Sequence, residues 1–303
     1  MLDRLRETVC LAGGLREDGT IDDDAAERAL ACLARFGQRI SDLGADRVRA
    51  VGTHTLRKAS KSGDFRERAE AALGHQIEVI AGSEEARLIY LGVCHGIAGA
   101  PARRLVLDIG GGSTECIVGD GFTPVTGRSL YMGCVSFTDA FLTAARSRKS
   151  DFARPNSLPS SNCSRLLQTR RFGWERAIGA SGTVRAVRGI VHANGWGDDT
   201  ITPTHVDRIR EQLLRADRLK LDLPGLSDDR KPVFAAGVAI LRALMSDLRI
   251  EELTVSNTAL REGLLYDLLG RHQDEDPRDR TIEMFAQRYV VDRHRRERVE
   301  NRD

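Results

Sequence analysis

Leu105-Val106-Leu107-Asp108-Ile109-Gly110-Gly111-Gly112-Ser113-Thr114-Glu115-Cys116-Ile117-Val118 is the stretch on which the reading of this chain turns. An apolar run of strand length ends in an acid, three consecutive glycines follow, and a second apolar run resumes. Two apolar runs joined by a glycine-rich turn predict a β-hairpin. Gly110, Gly111 and Gly112 carry no side chains that would keep a phosphate from backbone N–H groups, and Ser113 adds a hydroxyl donor. Asp108 and Glu115 flank the turn with hard oxygen ligands, suited to Mg²⁺ or to a water. A flexible Gly-Ser linker is the competing reading, and the strands on both sides weigh against it.

Towards the N-terminus, Ala26, Leu30, Leu33, Phe36 and Ile40 repeat at helical spacing behind Asp22, Asp23 and Asp24, predicting an amphipathic helix from about Asp23 to Leu43. A short strand, 48–51, precedes Gly52-Thr53-His54-Thr55-Leu56-Arg57, and a helix is expected over 64–73. A further strand, 77–80, runs into Ala81-Gly82-Ser83 and a helix opening at Glu84. Strand alternating with helix indicates an α/β layer. Gly99-Ala100-Pro101 reads as a domain boundary. Beyond the hairpin, a strand at 176–179 ends in Ala180-Ser181-Gly182-Thr183; helices follow at 203–214, 232–248 and 259–269, with a strand at 253–255.

Several readings stay open on the residues alone. Glu84 and Glu85 can simply complement a helix dipole, or one of them can be a general base that activates water. Arg57 can pair with phosphate or lie on the surface. His54 reads as a hydrogen-bonding loop residue, since no second histidine stands at metal-ligand spacing. Between Arg146 and Arg171 basic residues face one acid and no period survives, which fits a basic loop or a solvated segment equally.

The 303 residues carry 46 basic and 44 acidic side chains, a net charge of +2. That balance argues against broad nucleic-acid binding, which needs a strongly basic face. Only five of the 46 basic residues are lysine, and arginine is the better bidentate phosphate ligand. Six cysteines show no Cys-x-x-Cys spacing, so neither zinc nor a disulfide framework is indicated. No stretch approaches the about 20 apolar residues of a membrane span, and charges interrupt the first residues where a signal peptide would be apolar. A cytoplasmic protein with no integral membrane segment is the expectation.

Val51-Gly52-Thr53-His54-Thr55-Leu56-Arg57, then Ile80-Ala81-Gly82-Ser83-Glu84-Glu85-Ala86-Arg87, then Leu107 to Glu115 resemble, in order, the Ppx/GppA exopolyphosphatase and guanosine pentaphosphate phosphatase family. Met132-Gly133-Cys134-Val135-Ser136, Ile178 to Thr183, Leu223 to Ser227 and Ala259-Leu260-Arg261-Glu262-Gly263 continue the series. The resemblance covers about residues 6–270, apart from the Arg146 to Arg171 stretch, and is strongest to bacterial exopolyphosphatases. It implies the two-domain actin-like, sugar-kinase-like (ribonuclease H-like) α/β fold, with an interdomain phosphate cleft. Two domains, 1–99 and 100–270, and a charged remnant of a helical region, 271–303, follow from it.

The activity so implied is Mg²⁺-assisted hydrolysis of the terminal phosphate of inorganic polyphosphate. The alternative is the 5′-phosphate of guanosine pentaphosphate (pppGpp), and an inactive, shortened polyphosphate- or nucleotide-binding protein is the reading from another class. Carried over by position, Glu85 is the catalytic base; Asp108 and Glu115 serve the Mg²⁺; Arg57, Gly110, Gly111, Gly112 and Ser113 hold the phosphate. A homodimer is a further expectation. Family members open with an Asp-x-Gly-Ser-Asn-Ser strand and turn that is absent here, so the resemblance implies a first domain without its leading hairpin, from a shortened or mis-started reading frame. Arg6 to Leu15 matches the family's next strand. Ser256-Asn257-Thr258 stands where the family often has Ser-Asp-Gly, which removes a carboxylate.

Overall fold

The structure, a computed structural model, describes residues 5–59, 63–97, 102–138, 169–215 and 223–272, and the statements below concern these. The expected boundary at Gly99–Pro101, most of the 146–171 stretch and the tail beyond His272 lie outside them.

Helix α1 (Asp23–Ile40) starts where the acids predict: the Asp22 side chain accepts the Ala25 N–H at 2.7 Å, and Asp23 and Asp24 stand in the first turn, where negative charge meets the unsatisfied N–H groups. Its apolar stripe packs with α3 (Gly63–Leu73) around Ala25, Ala29, Phe65 and Ala69. Strands β1 (Ala50–Gly52) and β2 (Ile77–Val79) pair in parallel. From their carboxyl ends start the short helix α2 (His54–Lys58) and the long helix α4 (Gly82–Gly96).

The quoted hairpin forms as β3 (Arg103–Ile109) and β4 (Thr114–Asp120), continued by β5 (Thr123–Leu130). Beyond β3 lie β6 (Arg176–Gly179), β8 (Leu253–Val255) and the two-residue β7 (Thr200–Ile201), giving a six-stranded sheet of order β5-β4-β3-β6-β8-β7. The β3–β4–β5 meander is antiparallel, while β6 and β8 run parallel to β3. An antiparallel meander continued by parallel strands makes this a mixed α/β sheet, as the alternating pattern predicts. Helices α5 (Gly182–Ala193), α6 (Pro203–Arg215) and α7 (Lys231–Leu248) bury one face of the sheet on the largest apolar cluster. α4 and α8 (Leu260–His272) cover the other.

Two local expectations are corrected, and one strand was not foreseen. Arg6 to Leu15 does not form a strand: after an irregular stretch the chain turns into a 3-10 helix, Leu11–Gly14, and its one ladder contact is the isolated bridge Leu15–Ile21. An extended segment needs a paired edge for its N–H and C=O groups, and here local turn bonds such as Gly13 N–H to the Cys10 carbonyl serve some of them. His54 lies on a helical turn, not in a loop. β5 is a strand that Pro124 and Gly127 concealed; both residues are tolerated because β5 is an edge.

Helices α4 and α8 cross in near backbone contact. A Cβ on Gly263 would stand 1.8 Å from the Leu88 carbonyl oxygen, and one on Gly92 would stand 2.0 Å from that of Ala259. Around this crossing Arg87 bonds Glu84 and Asp267, and Arg49 bonds Glu78 and Asp267, tying α8 to the first turn of α4 and to β2. In Gly263→Ala, alanine's helix propensity is worth about 1 kcal/mol, but the methyl meets a carbonyl that no rotamer change can move. Overpacking of that kind costs about 1–3 kcal/mol, so urea unfolding is expected to show a lower midpoint with an unchanged slope; a higher midpoint would contradict this crossing. Among the described residues no helix is long and apolar enough to cross a membrane.

Candidate functional site

The period-2 alternation of the hairpin decides which way its acids point. Leu105, Leu107 and Ile109 of β3 and Cys116 and Val118 of β4 enter the large cluster under α5 and α7, whereas Val106 and Ile117 face α4. Asp108 and Glu115 share parity with Val106 and Ile117 and so face α4. They are also direct cross-strand partners, and Glu115 in turn stands opposite Ser129 of β5, whose hydroxyl donates to Glu115 Oε1 at 2.9 Å.

Facing that row is the first turn of α4. Glu85 is buried, with 6% of its surface exposed, and Arg57 Nη1 donates to its Oε2 at 2.8 Å while also bonding the Ile80 carbonyl at 2.8 Å. The neighbouring Glu84 turns elsewhere, in a two-pronged pair with Arg87 at 2.8 Å each. The two glutamates thus part in space: Glu84 belongs to the helix-tethering ion network, and Glu85 faces Asp108 and Glu115.

Gly110 to Ser113 close the hairpin with the Gly110 N–H donating to the Ser113 carbonyl at 2.8 Å. Ser113 itself is buried, and its hydroxyl bonds Glu115. The turn is locked from behind: Val135 and Ser136 N–H groups both donate to the Gly111 carbonyl, and Cys134 N–H donates to that of Gly110. Gly133 lies flat on the turn. In front, His54 presses on Gly112, where a Cβ would meet the imidazole Cδ2 at 2.4 Å. The carboxyl ends of β1 and β2 thus confront those of β3 and β6, the place where open α/β sheets bind ligands.

Three acids in one dehydrated site repel one another's charge. Burial, followed by the field of Glu85, raises Asp108 to about 6. Burial, then Glu85 and Asp108, raises Glu115 to about 8. Glu85 is raised by burial and pulled back by Arg57. His54 is lowered to about 4 by burial and by Lys58 and Arg57, so it is neutral at pH 7. Because the folded chain holds the protons of Asp108 and Glu115 more tightly than the unfolded chain, these groups contribute stability at low pH that is lost as pH rises from about 4 to about 8. With a chelator present, the Tm is therefore expected to fall between pH 5 and pH 8, and Glu115→Gln to flatten the fall; equal slopes for both proteins would refute the assignment. Added Mg²⁺ should raise the Tm more at pH 8 than at pH 5, since ligating carboxylates must be ionised.

Comparison with known proteins adds lineage to this geometry. Residues 1–272 match the Ppx/GppA phosphatase family. The chain belongs to that family. Among curated relatives, the guanosine-5′-triphosphate,3′-diphosphate pyrophosphatase of Vibrio cholerae is 42% identical over 295 residues, covering 95% of this chain and 58% of the relative. That of Aliivibrio fischeri is 40% identical over 291 residues, with the same coverage. The chain therefore spans less than two thirds of the length of these relatives. Among solved structures, an exopolyphosphatase-like protein superposes with a TM-score of 0.75 at 22% identity, covering 89% of this chain and 92% of its own. An exopolyphosphatase from Cytophaga hutchinsonii gives 0.70 at 24%, covering 85% and 87%. At such identities these two speak for the fold alone.

For this Ppx/GppA member, the residues named from sequence converge: Arg57, Glu85, Asp108, Gly110 to Ser113 and Glu115 line one region. Sequence reasoning missed four others. His54 packs on the glycine turn, Ser129 holds Glu115, Gly133 backs the turn, and Arg185 of α5 lowers the pKa of Asp108 against its burial. Ser129 sits on the strand that was not foreseen, and Arg185 follows the Ser-Gly-Thr turn whose Ser181 caps α5. Of the five cysteines described, all are free and four are buried.

Proposed function

We propose that this chain hydrolyses the terminal 5′-phosphate of pppGpp, yielding inorganic phosphate and the corresponding diphosphate. The observation that carries the choice of substrate is the 42% identity, over 95% of the chain, to a relative named for guanosine-5′-triphosphate,3′-diphosphate. The geometry supports the chemistry. The terminal phosphoryl group lies on the Gly110–Gly112 turn, with Arg57 beside it to offset charge. A water between this phosphorus and Glu85 loses a proton to the Glu85 carboxylate as its oxygen bonds phosphorus and the bridging P–O bond breaks. Arg57 fixes one carboxylate oxygen of Glu85, which orients the other.

Among the described residues no group of three or more His, Cys, Asp or Glu is placed as a ready cation site. Mg²⁺, however, is commonly held by one or two carboxylates together with substrate phosphates, and the cross-strand pair Asp108 and Glu115, two oxygen-ligand carboxyls that would release their protons on binding a cation, fits that donor set. Bound there, Mg²⁺ would offset charge developing on the phosphate oxygens.

The test is phosphate release by the purified chain with Mg²⁺, from pppGpp and from inorganic polyphosphate in parallel. The expected result is a higher kcat/KM for pppGpp. Turnover of polyphosphate alone would favour exopolyphosphatase action and overturn the choice of substrate. Binding of both without turnover would favour an inactive binding protein.

A further inference from the structure

Tyr131 is 63% exposed although Leu130 and Met132 on either side are fully buried. The backbone explains this. Met132 N–H donates to the Leu130 carbonyl at 2.8 Å, closing a three-residue turn with Tyr131 at its apex. Thr114 Oγ1 pins the Met132 carbonyl at 2.6 Å, so the two apolar neighbours anchor inward and the ring projects out. It projects beside the phosphate turn. The His54 ring, which presses on Gly112, lies 6.0 Å from the Tyr131 ring and is tilted by 58°. Lys58, one helical turn on from His54, places Nζ 5.4 Å from the Tyr131 centroid.

A large aromatic ring left in water gains nothing from its apolar area. Beside a phosphate site, such an open face can take a flat ligand, since a nucleobase stacks on an aromatic ring whatever its identity. Lys58 adds a positive charge on this side, which suits phosphates leading from the glycine turn towards the ring. A bare phosphate chain can accept from the Tyr131 hydroxyl but has no group that uses the ring face.

We propose that Tyr131 is the platform for the purine base of a nucleotide whose terminal phosphate lies on Gly110 to Gly112, with Lys58 meeting an intervening phosphate. Tyr131 is thereby the residue that favours nucleotide over linear polyphosphate. The inference rests on the nucleotide reading given above and adds the part of the site that reads the base. Because stacking is tolerant of base identity, guanine and adenine nucleotides should bind comparably through this residue.

Calorimetric titration of the Glu85→Gln chain, in which turnover is suppressed, with guanosine 5′-(β,γ-imido)triphosphate and with inorganic tripolyphosphate tests it, both in the presence of Mg²⁺. Adding Tyr131→Ala should weaken nucleotide binding by about ten- to a hundredfold, the scale of one base–aromatic stack, and leave tripolyphosphate binding unchanged; Tyr131→Trp should keep the nucleotide affinity. Equal losses for both ligands would make Tyr131 a buttress for His54 and overturn the proposal. So would no loss for either, nucleotide binding no tighter than tripolyphosphate, or failure of both to bind. Absence of pppGpp hydrolysis by the unsubstituted chain would sink the proposed activity while leaving these affinities to decide the role of Tyr131.

Discussion

Phosphate release from pppGpp is expected to fall by about 10²–10⁴-fold in Glu85→Gln, the range that a positioned general base supplies. Glutamine keeps the size of the side chain and an oxygen that can accept from Arg57 Nη1, now at 2.8 Å from Glu85 Oε2, but it cannot take the proton of the attacking water. Its removal also relieves the field on Asp108 and Glu115, both of which Glu85 raises. The loss of rate should therefore come without loss of fold, which circular dichroism and thermal unfolding will check. A variant that folds and turns over at the original rate removes Glu85 from the chemistry. Glu84→Gln is the matched control: its carboxylate pairs with Arg87 outside the cleft, so its effect should fall on stability and not on kcat.

Gly133→Ala is expected to lower kcat by about 100-fold, the cost of a displacement near 1 Å in a reacting group. A Cβ there would lie 2.3 Å from the carbonyl carbon and oxygen of Gly111 and 2.4 Å from the Gly112 nitrogen. All three are backbone atoms of the glycine turn, so the strain cannot be relieved by a rotamer and has to move the turn itself. A folded Gly133→Ala protein with undiminished kcat would mean that the close approach of Gly133 is not what holds the turn. Crystals or amide exchange of Gly133→Ala should show the change concentrated in residues 110–113 and 132–136.

The hairpin was readable because two apolar runs flanking three glycines admit few other backbones, and its alternation already put Asp108 and Glu115 on one face. The helix caps at Asp22 and the edges of β3 and β8 were equally local matters. What local pattern concealed was β5, where Pro124 and Gly127 argue against a strand and only an edge position tolerates them. The stretch Arg6 to Leu15 erred the other way: strand-like residues stay irregular when no neighbour presents a ladder.

By itself the sequence determined the α/β class, the turn that can cradle a phosphate, the parity of its two acids, and through the ordered motifs the family. Only the tertiary structure decided which of the two adjacent glutamates faces Asp108 and Glu115: Arg57 arrives from α2 to bond Glu85, whereas Glu84 pairs within α4 with Arg87, which Asp267 of α8 holds. It alone placed His54 on Gly112, Gly133 on Gly111 and Tyr131 in the open, contacts between segments distant in the chain. The physical reason is range. Strand alternation and capping act over a few residues and leave a periodic trace, whereas charge pairing and steric approach depend on which surfaces the fold brings within a few ångströms, and one chain's residue order carries no period for that.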